Sequence, residues 1–572
     1  GLIAGTDLWQ DGTVEARVRQ ILSSSAAGKD NEFLLVGKTG LVARQKTVRR
    51  FYHFGPVGYD DFILYRRRDE EWHELGRAGR KVDRTRYHDI RLQAKGSMLR
   101  CWVDGDLVIE VEDDAYPAGK AGLRTNTLSR IESLSVSMTD EEYAKAEKAT
   151  QRHEEERKRR AATVPPLLLW REIPIDTSQV LTLLNQQNDA PGTFLLQDTP
   201  GTLKLLDIEG KTVWRQSYDE PVFATRGMNT RVSADFNGDG CEDIVASVGG
   251  RLAIIDGASG KIRLSAASPP AGPFSDLRGV HALSASRPVK FNIAQLLPEP
   301  AAPCIVFSED TSSGGNTLWA YDSSLQPLWT VHVDNPKFGH STTVYDADND
   351  GCDEVFAGCH LIDQDGSLLW TLENAEYWER FQGARHVDQT LVDRLVDDKN
   401  NGVRVVFNAG LEGLFIADIK TGAVLARHQL GHVQSSTIGN FRPDRSGREI
   451  WSTTRHGNFG IRTLIDGHGK ELFQFQPDNI NSYGQRVRWA DTEWDLVLFP
   501  VGPARGLYDG FGYRVADLPE CEFQAQFYKD GHARTADLCN DERDELIFAH
   551  SGSIRIYTQK DNRCKKEGSS NA

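Results

Sequence analysis

Two kinds of periodicity divide the chain into an N-terminal and a C-terminal region. Over residues 1–139, short runs of alternating apolar and polar residues, such as Thr13–Ile21 and His88–Lys95, are separated by polar turns. Alternation with a period of two is typical of strands with one buried face. We therefore predict an all-β fold that begins with an antiparallel jelly-roll β-sandwich over residues 1–139.

The pattern changes at residue 140. Residues 140–163 contain no Gly or Pro, and acidic residues at their start give way to basic residues at their end. That order suits a helix dipole. We predict a charged helical linker over residues 140–164.

From residue 165 to residue 560 the chain repeats a unit of strand, acidic loop, strand and strand. The clearest copies are Arg231–Val245 and Thr342–Phe356. Repeats of about 40–50 residues with several strands each are typical of β-propeller blades. Eight groups can be counted, and Leu167–Glu172 is predicted to complete the last one and close the ring. The prediction is eight blades, with seven as the alternative, followed by a disordered tail over residues 561–572.

The acidic loops of the two clearest repeats alternate carboxylates or amides with a glycine for the turn. Such oxygens at alternate positions are the ligands that Ca²⁺ prefers. Two structural calcium sites are predicted. Their candidate ligands are Asp235, Asn237, Asp239 and Asp243, and then Asp346, Asp348, Asp350, Asp353 and Glu354. A salt bridge between Arg543 and Asp541 is expected to replace the ion in a degenerate copy.

A polar residue, usually histidine, stands at the start of the first strand in one repeat after another. The series is Asn229, His281, His340, His386, His432, Gln485 and His532. Because the first strand of a blade lines the central channel, these residues are predicted to gather at one face, opposite the acidic loops. Loops that return to the same face add His360, Arg455, His456, Arg505 and Tyr508.

Two resemblances follow from these motifs. The hairpin Trp102–Gly105 followed by Gly119–Gly122 resembles laminin-G and concanavalin-like domains, which either bind sugars or dock onto a catalytic neighbour. Asp235–Asp243, Asp346–Asp353 and His386–Asp388 resemble the FG-GAP-like calcium propellers of polysaccharide lyases, and are nearest to rhamnogalacturonan and rhamnose–glucuronate lyases. The second resemblance implies β-elimination on a polysaccharide that contains uronic acid.

β-Elimination at a uronate needs a cation for the carboxylate, a base for the C5 proton and an acid for the leaving oxygen. Arginine can grip a carboxylate with two hydrogen bonds, and histidine titrates near neutrality. Candidate cations are Arg226, Arg385, Arg455 and Arg505; candidate bases are His340, His386 and His432; candidate acids are Tyr508 and His456. The remaining candidates for substrate binding are Asn229, His281, His360, Gln485 and His532.

Three alternatives stay open. A glycoside hydrolase of the rhamnosidase kind needs two carboxylates across the scissile bond, and the predicted face offers fewer acids than histidines and arginines. A non-catalytic sugar-binding or adhesion propeller needs no base at all. The histidines could also hold a single transition-metal ion.

Charge and composition narrow the choice of partner and location. The formal net charge of −15 argues against a nucleic-acid partner, whereas a local basic pocket still suits an acidic polysaccharide. The chain has no run of 18 apolar residues, so no membrane span is predicted. The eight cysteines do not decide the compartment, so a secreted or periplasmic location is expected from the domain types, and a monomer is expected.

Overall fold

Strands dominate the computed structural model. It describes residues 1–21, 39–176, 179–186, 190–224, 232–269, 290–308, 317–333, 339–340, 342–375, 386–399, 401–456, 460–519, 531–550 and 552–559. These ranges hold 44 strands and one α-helix, which confirms the all-β prediction. Within them, no helix combines the length and the apolar character that a membrane crossing requires.

The described parts of residues 2–137 form two antiparallel sheets around one apolar core. The strands are β1 (Leu2–Ala4), β2 (Gly12–Gln20), β3 (Thr39–Thr47), β4 (Arg50–Val57), β5 (Asp61–Arg68), β6 (Glu71–Gly79), β7 (His88–Lys95), β8 (Met98–Val103), β9 (Asp106–Glu112), β10 (Lys120–Thr125) and β11 (Ser129–Ser137). One sheet has the order β1-β10-β3-β4-β5-β6 and the other β11-β2-β7-β8-β9. Alternate residues such as Val14, Ala16 and Val18 point into the core, as a period of two requires.

Helix α1 (Asp140–Ala161) lies within the predicted linker. Thr139 caps its start by accepting a hydrogen bond from the Glu142 amide, and its first turn is acidic while its last is basic. Its second half packs against the C-terminal region. The His153 ring stacks on Tyr513 at 4.7 Å, and Arg160 Nη1 lies 3.0 Å from Asp509 Oδ2. The helix is therefore attached to the next region rather than fully solvated.

Eight small antiparallel sheets make up the described part of the C-terminal region. The first three contain β13 (Gln179–Gln186), β14 (Ala190–Thr199), β15 (Thr202–Leu206) and β16 (Thr212–Ser217); β17 (Val222–Ala224), β18 (Ser233–Ala234), β19 (Asp243–Val248), β20 (Arg251–Ile255) and β21 (Ile262–Ala266); and β22 (Lys290–Ala294), β23 (Cys304–Ser308), β24 (Thr317–Tyr321) and β25 (Pro327–His332).

The fourth to sixth sheets carry most of the candidate site. They contain β26 (Thr342–Tyr345), β27 (Glu354–Ala357), β28 (His360–Ile362) and β29 (Leu368–Thr371); β30 (Gln389–Arg394), β31 (Val403–Asn408), β32 (Leu414–Asp418) and β33 (Val424–His428); and β34 (Val433–Gly439), β35 (Glu449–Thr454), β36 (Arg462–Asp466) and β37 (Glu471–Phe475).

The last sheet joins the two ends of this region. The seventh sheet contains β38 (Gln485–Val487), β39 (Leu496–Phe499), β40 (Gly506–Tyr508) and β41 (Arg514–Asp517), and the eighth contains β42 (Gly531–Ala536), β43 (Glu545–His550), β44 (Ser553–Gln559) and β12 (Leu167–Pro174). Strand β12 pairs antiparallel with β44, which is the pairing predicted for the strand that begins this region.

Apolar side chains join each sheet to the next. Separate clusters bridge the consecutive sheets from the first to the eighth. Another cluster packs Ile173 and Ile554 of the eighth sheet against Phe194 and Leu206 of the first. From the third sheet onward, the first strands of neighbouring sheets also contact one another. Burial between sheets thus links all eight in a continuous order.

A recurring pair of hydrogen bonds adds to this packing. The Asp353 amide donates to the Gln295 carbonyl at 2.7 Å, and the Asp353 carboxylate accepts from the Gln295 amide at 2.8 Å. The pairs Asp495–Asn440 and Asp544–Arg488 repeat both bonds at later junctions. An aspartate one residue before the second strand therefore clamps each of these sheets to the preceding one.

The sandwich is held against the sixth sheet by a buried arginine. Arg50 is bonded to Asp69 at 2.6 Å within the sandwich, and its Nη2 is 2.7 Å from Glu471 Oε2 on β37. The Val48 amide also donates to Gln476 Oε1 at 2.8 Å. These charge-assisted bonds fix how the two regions sit together.

Candidate functional site

Four imidazole rings gather where the fourth, fifth and sixth sheets meet. His340, His386 and His432 stand just before the first strands β26, β30 and β34, and His456 follows β35. Neighbouring ring centroids are 4.7 Å apart for His340–His386, 5.9 Å for His386–His432 and 4.7 Å for His432–His456. Equivalent positions in successive repeats thus produce a row of histidines across three sheets.

The buried carboxylate of Asp388 lies at the centre of this row. Its Oδ2 is 3.0 Å from His432 Nε2 and 3.5 Å from His386 Nε2. Its Oδ1 accepts a hydrogen bond from the side-chain amide of Gln434. Burial alone would raise the pKa of Asp388, but the two imidazoles hold that pKa below its usual value. The carboxylate is therefore ionised and can orient both rings.

A second layer of polar contacts supports this centre. Gln434 is buried and accepts a hydrogen bond from Arg455 Nη1 at 3.3 Å. The Arg455 amide donates to the His432 carbonyl at 2.8 Å. Arg455 is half-buried, so a guanidinium lies beside the histidine row at the edge of the site.

The backbone around the cluster is close-packed. The His340 amide donates to the Val387 carbonyl at 2.9 Å. Gly339 has φ +74°, and a Cβ there would lie 2.1 Å from that carbonyl oxygen, so only glycine allows the two sheets to approach. His456 has φ +44°, which is uncommon for a residue other than glycine and costs free energy.

Asp388 is predicted at this face only as one of its few acids, without a role, and Gln434 is absent from the predicted site. The available signal for Asp388 is its position two residues after His386, since alternate residues of an extended segment share a side. Gln434 carries no comparable signal, because its role depends on contacts to two other sheets.

Three groups of the cluster are close enough to share a cation. One ligand atom each from His340, His386 and Asp388 lies within 4.8 Å of the other two. His386 Nδ1 is buried and has no hydrogen-bond partner among the described residues. Two imidazoles and one carboxylate fit a transition metal better than the all-oxygen shell that Ca²⁺ prefers. The same atoms can also hold and move protons.

Four other predicted site residues lie away from the cluster contacts. Tyr508 is 3% exposed, and its hydroxyl donates to the Ala504 carbonyl at 2.8 Å. His360 is 2% exposed, with its Nδ1 2.9 Å from Thr371 Oγ1. Gln485 donates to the Ala533 carbonyl at 2.7 Å, and Arg505 is half-buried in the seventh sheet. Because Tyr508 is buried among aromatic rings, its hydroxyl is bonded to the backbone and is not exposed to a substrate.

The remaining predictions on this face cannot be placed. Arg226, Asn229, His281 and Arg385 lie outside the described residues, as does the side chain of His532, whose backbone belongs to β42.

The second acidic loop brings three carboxylates together. Ligand atoms of Asp346, Asp348 and Glu354 lie within 4.8 Å of one another. Glu354 is fully buried, and its Oε2 accepts from the Ala347 amide at 2.6 Å. Its Oε1 has no hydrogen-bond partner among the described residues. Burial, together with the nearby aspartates, raises the pKa of Glu354 to about 7.

Asp350 and Asp353 use their carboxylates elsewhere. Asp350 accepts from the Cys352 amide and from the Gln364 side chain, while Asp353 forms the bond to Gln295 described above. The ligand set that the structure assembles is therefore smaller than the predicted one.

The first acidic loop is closed by its own hydrogen bonds. Asp235 accepts from four backbone amides between Asn237 and Gly240. Asp239 accepts from the Cys241 amide and from the Asn237 side chain. Asp243 Oδ1 accepts from the Gly257 amide at 3.0 Å, and its Oδ2 lies 3.4 Å from Arg263. Its carboxylate is thus shared between the loop, through the Phe236 amide, and the third and fourth strands.

The C-terminal part of the chain matches one family of known proteins. Residues 313–566 match the family "Rhamnogalacturonan lyase family 11, C-terminal domain". That range includes the histidine cluster and the second acidic loop.

Individual proteins that this chain resembles are also named as rhamnogalacturonan lyases. The chain is 26% identical over 253 residues to rhamnogalacturonan exolyase YesX of Bacillus subtilis (strain 168), an alignment that covers 42% of this chain and 39% of that protein. The chain thus spans about two fifths of the length of this curated relative. The structure of the Bacillus licheniformis rhamnogalacturonan lyase PL11 is 16% identical, with 91% of each chain covered and a TM-score of 0.46. The crystal structure of the exotype rhamnogalacturonan lyase YesX is 14% identical, with 95% of this chain and 91% of that chain covered and a TM-score of 0.47.

Proposed function

We propose that this protein is a polysaccharide lyase that cleaves a rhamnose–uronate polysaccharide of the rhamnogalacturonan class by β-elimination. The observation that carries the proposal is the convergence of His386 and His432 on the buried, ionised Asp388. The match of residues 313–566 to a rhamnogalacturonan lyase family supports the choice of reaction and substrate.

In this proposal the histidine row transfers the protons. Asp388 orients His432 and His386 and stabilises the imidazolium that forms when one of them takes the C5 proton. Arg455, beside the row, pairs with the uronate carboxylate and makes that proton more acidic. His456 is the preferred acid for the leaving oxygen, because the Tyr508 hydroxyl is already bonded to Ala504.

The proposal includes the architecture and its stabilising ion. We infer an eight-bladed propeller, which is supported by the eight sheets and the packing of the eighth against the first. We infer one structural Ca²⁺ at Asp346, Asp348 and Glu354, because the buried, unbonded Glu354 Oε1 needs a cationic partner. We also infer export from the cell, since Cys539 is disulfide-bonded and disulfides persist in oxidising compartments.

The test is an assay on rhamnogalacturonan, ulvan and gum arabic that follows both the ultraviolet absorbance of unsaturated uronate and the release of reducing ends. His432→Ala and Asp388→Asn are expected to lower the rate by at least about 100-fold, the usual contribution of a general base. His468→Ala is the matched control, because His468 is an exposed histidine in the same sheet.

Each result has a distinct meaning. Reducing ends without absorbance would indicate a hydrolase instead. Retained binding without either product would indicate a non-catalytic module. Full activity of His432→Ala would remove the histidine row from the mechanism.

A further inference from the structure

A cleft of roughly 460 Å³ separates the sandwich from the fifth and sixth sheets. On the sandwich side it is lined by the ends of β5 and β6, including Arg66, Arg68 and His73. On the other side it is lined by the end of β33 and the chain that follows, including Arg427 and His428. Neither the proposed reaction nor the predicted site uses this cleft.

Ion pairs fix the two walls of the cleft relative to each other. Arg50 bonds to Asp69 on one wall and to Glu471 on the other. Arg50 is only 11% exposed on its side chain, so this bridge is shielded from solvent. Burial opposes the charge on Glu471, but the bonds to Arg50 hold the pKa of Glu471 below its usual value. The cleft is therefore preformed rather than a gap between loosely joined regions.

The cleft leads toward the histidine cluster along a short stretch of chain. Arg427, His428, Gln429 and Leu430 line it, and His432 follows two residues after Leu430. Four fully extended residues span at most about 14 Å, which bounds the Cα distance from His428 to His432. The cleft therefore lies near the histidine cluster, at a distance that a few sugar units could span.

Charge pairing leaves one cation of the cleft with no described carboxylate at ion-pair distance. Asp69 and Glu471 are bonded to Arg50, and Glu71 lies 3.0 Å from His73. Outside the wall, Asp113 and Glu412 are bonded to Arg66 and Arg427 at 2.6 and 2.8 Å.

Arg68, by contrast, is exposed and forms no ion pair with any described carboxylate. Arg66 Nε is buried without a hydrogen-bond partner in the same part of the structure. Arg68 acts on Glu471 only through its field, so its exposed guanidinium, with further donors beside it, suits a ligand that carries a carboxylate among hydroxyl groups.

We propose that this cleft is a binding subsite for the uronate-bearing polysaccharide, located beyond the sugars that react, and that Arg68 pairs with a uronate carboxylate there. This inference rests on the proposed function for its substrate class. The sandwich contributes directly to substrate binding, because half of the cleft wall belongs to it.

The test measures binding without turnover in the full-length protein. His432→Ala removes the proposed base, and its affinity for rhamnogalacturonan is then measured by affinity electrophoresis. Adding Arg68→Ala is expected to weaken that affinity about tenfold, or about 1.4 kcal/mol, because it removes a charge-assisted bond. Arg130→Ala is the control, because Arg130 is an exposed arginine on the other sheet of the sandwich. A neutral galactan tests whether the carboxylate is what the cleft recognises.

The outcomes separate the two proposals. Weaker binding in the Arg68 variant, with Arg130→Ala unchanged, supports the subsite even if the wild type yields no unsaturated product, in which case only the proposed reaction fails. Equal affinity with and without Arg68 overturns the subsite. Equal retardation by galactan and by rhamnogalacturonan overturns the role given to the uronate. In a lyase-active protein, Arg68→Ala is also expected to lower kcat/KM more for the polymer than for short oligosaccharides.

Discussion

The two acidic loops Asp235–Asp243 and Asp346–Glu354 have nearly the same sequence but direct their last carboxylate differently. In the second loop, Glu354 turns back to the Ala347 amide and lies close to Asp346 and Asp348. In the first loop, Asp243 is bonded by the Phe236 amide, the counterpart of the Ala347 amide, but it also accepts from the Gly257 amide and lies 3.4 Å from Arg263. A ligand set therefore depends on where the last side chain is directed, and not only on the spacing of acids.

Two substitutions explain this difference. Glutamate has one methylene more than aspartate, so it reaches further from the same backbone position. The fourth strand of each sheet has an extra residue where its register shifts: this residue is Arg263 in β21 and Leu369 in β29. The first loop thus has a guanidinium for its buried acid, whereas the part of the chain that the structure describes supplies none to the second.

A third copy of the loop, Asp537–Glu545, extends the comparison. Here Arg543 is 2% exposed, and its Nη2 lies 2.8 Å from Asp541 Oδ2, as the sequence predicts for this copy. The three loops thus show three ways to accommodate buried acids: an arginine from a neighbouring strand, an arginine within the loop, and a set of oxygens suited to an ion.

The largest effect is expected from Arg543→Met. Removing one member of a buried pair leaves Asp541 without its cation and costs about 3–5 kcal/mol of unfolding free energy. Chemical denaturation with and without Ca²⁺ measures this loss, which we expect to be independent of Ca²⁺. Arg442→Met is the control, because Arg442 pairs with the half-exposed Asp444 and its loss should cost less than about 1 kcal/mol. Full recovery of the Arg543 variant by Ca²⁺ would contradict the comparison.

The second-largest expected effect is a pH dependence of stability that arises from Glu545, the last residue of the third loop. Burial raises the pKa of Glu545 to about 7 from an ordinary 4.5. Because the folded state holds this proton more tightly than the unfolded state, stability falls as pH rises from about 4.5 and levels off above about 7.

Glu545→Gln keeps a similar shape without the charge. It should therefore exceed the wild type by up to about 3 kcal/mol at pH 8, and the difference should vanish near pH 4. Denaturation curves across this range measure it. A constant difference at all pH values would show that Glu545 does not titrate in this way.

Sequence patterns predicted much of the fold, because local alternation and repetition are enough to specify strands and their order. The alternating residues of β2 and β7 face the sandwich core, and β12 pairs with β44 to complete the last sheet. The recurrence of histidine before first strands also predicted that His340, His386 and His432 would lie together.

The same patterns did not predict the contacts between sheets. Asp353 belongs to a regular acidic motif, yet it bonds to Gln295 of the preceding sheet. Tyr508 follows a loop at the predicted face, yet its hydroxyl points to Ala504 within an aromatic cluster. Asp388 and Gln434 acquire their roles only from partners on other strands. Side-chain direction is set by tertiary packing, which spacing along the chain does not encode.

A smaller effect tests the second loop directly. If Ca²⁺ binds at Asp346, Asp348 and Glu354, Ca²⁺ at roughly 100 times its Kd stabilises the folded protein by about 2.7 kcal/mol. Glu354→Gln should lose most of this increment, because it removes the charge of the buried ligand. Asp243→Asn, the equivalent change in the first loop, should keep it. Melting temperatures in CaCl₂ and in chelator measure both, and an equal loss in the two variants would mean that the loops do not differ.

The smallest expected effect comes from giving the first loop the features of the second. In Asp243→Glu/Arg263→Leu, the longer acid can turn toward Asp235 and Asn237, the counterparts of Asp346 and Asp348, and the competing guanidinium is gone. We expect Ca²⁺ to stabilise this variant by about 1 kcal/mol more than it stabilises the wild type, since Asp235 must still exchange backbone hydrogen bonds for the ion. Asp243→Glu alone, which keeps Arg263, is the control and should show no such gain. If the double variant gains nothing either, the self-bonded loop around Asp235, rather than the direction of residue 243, is what prevents a site from forming.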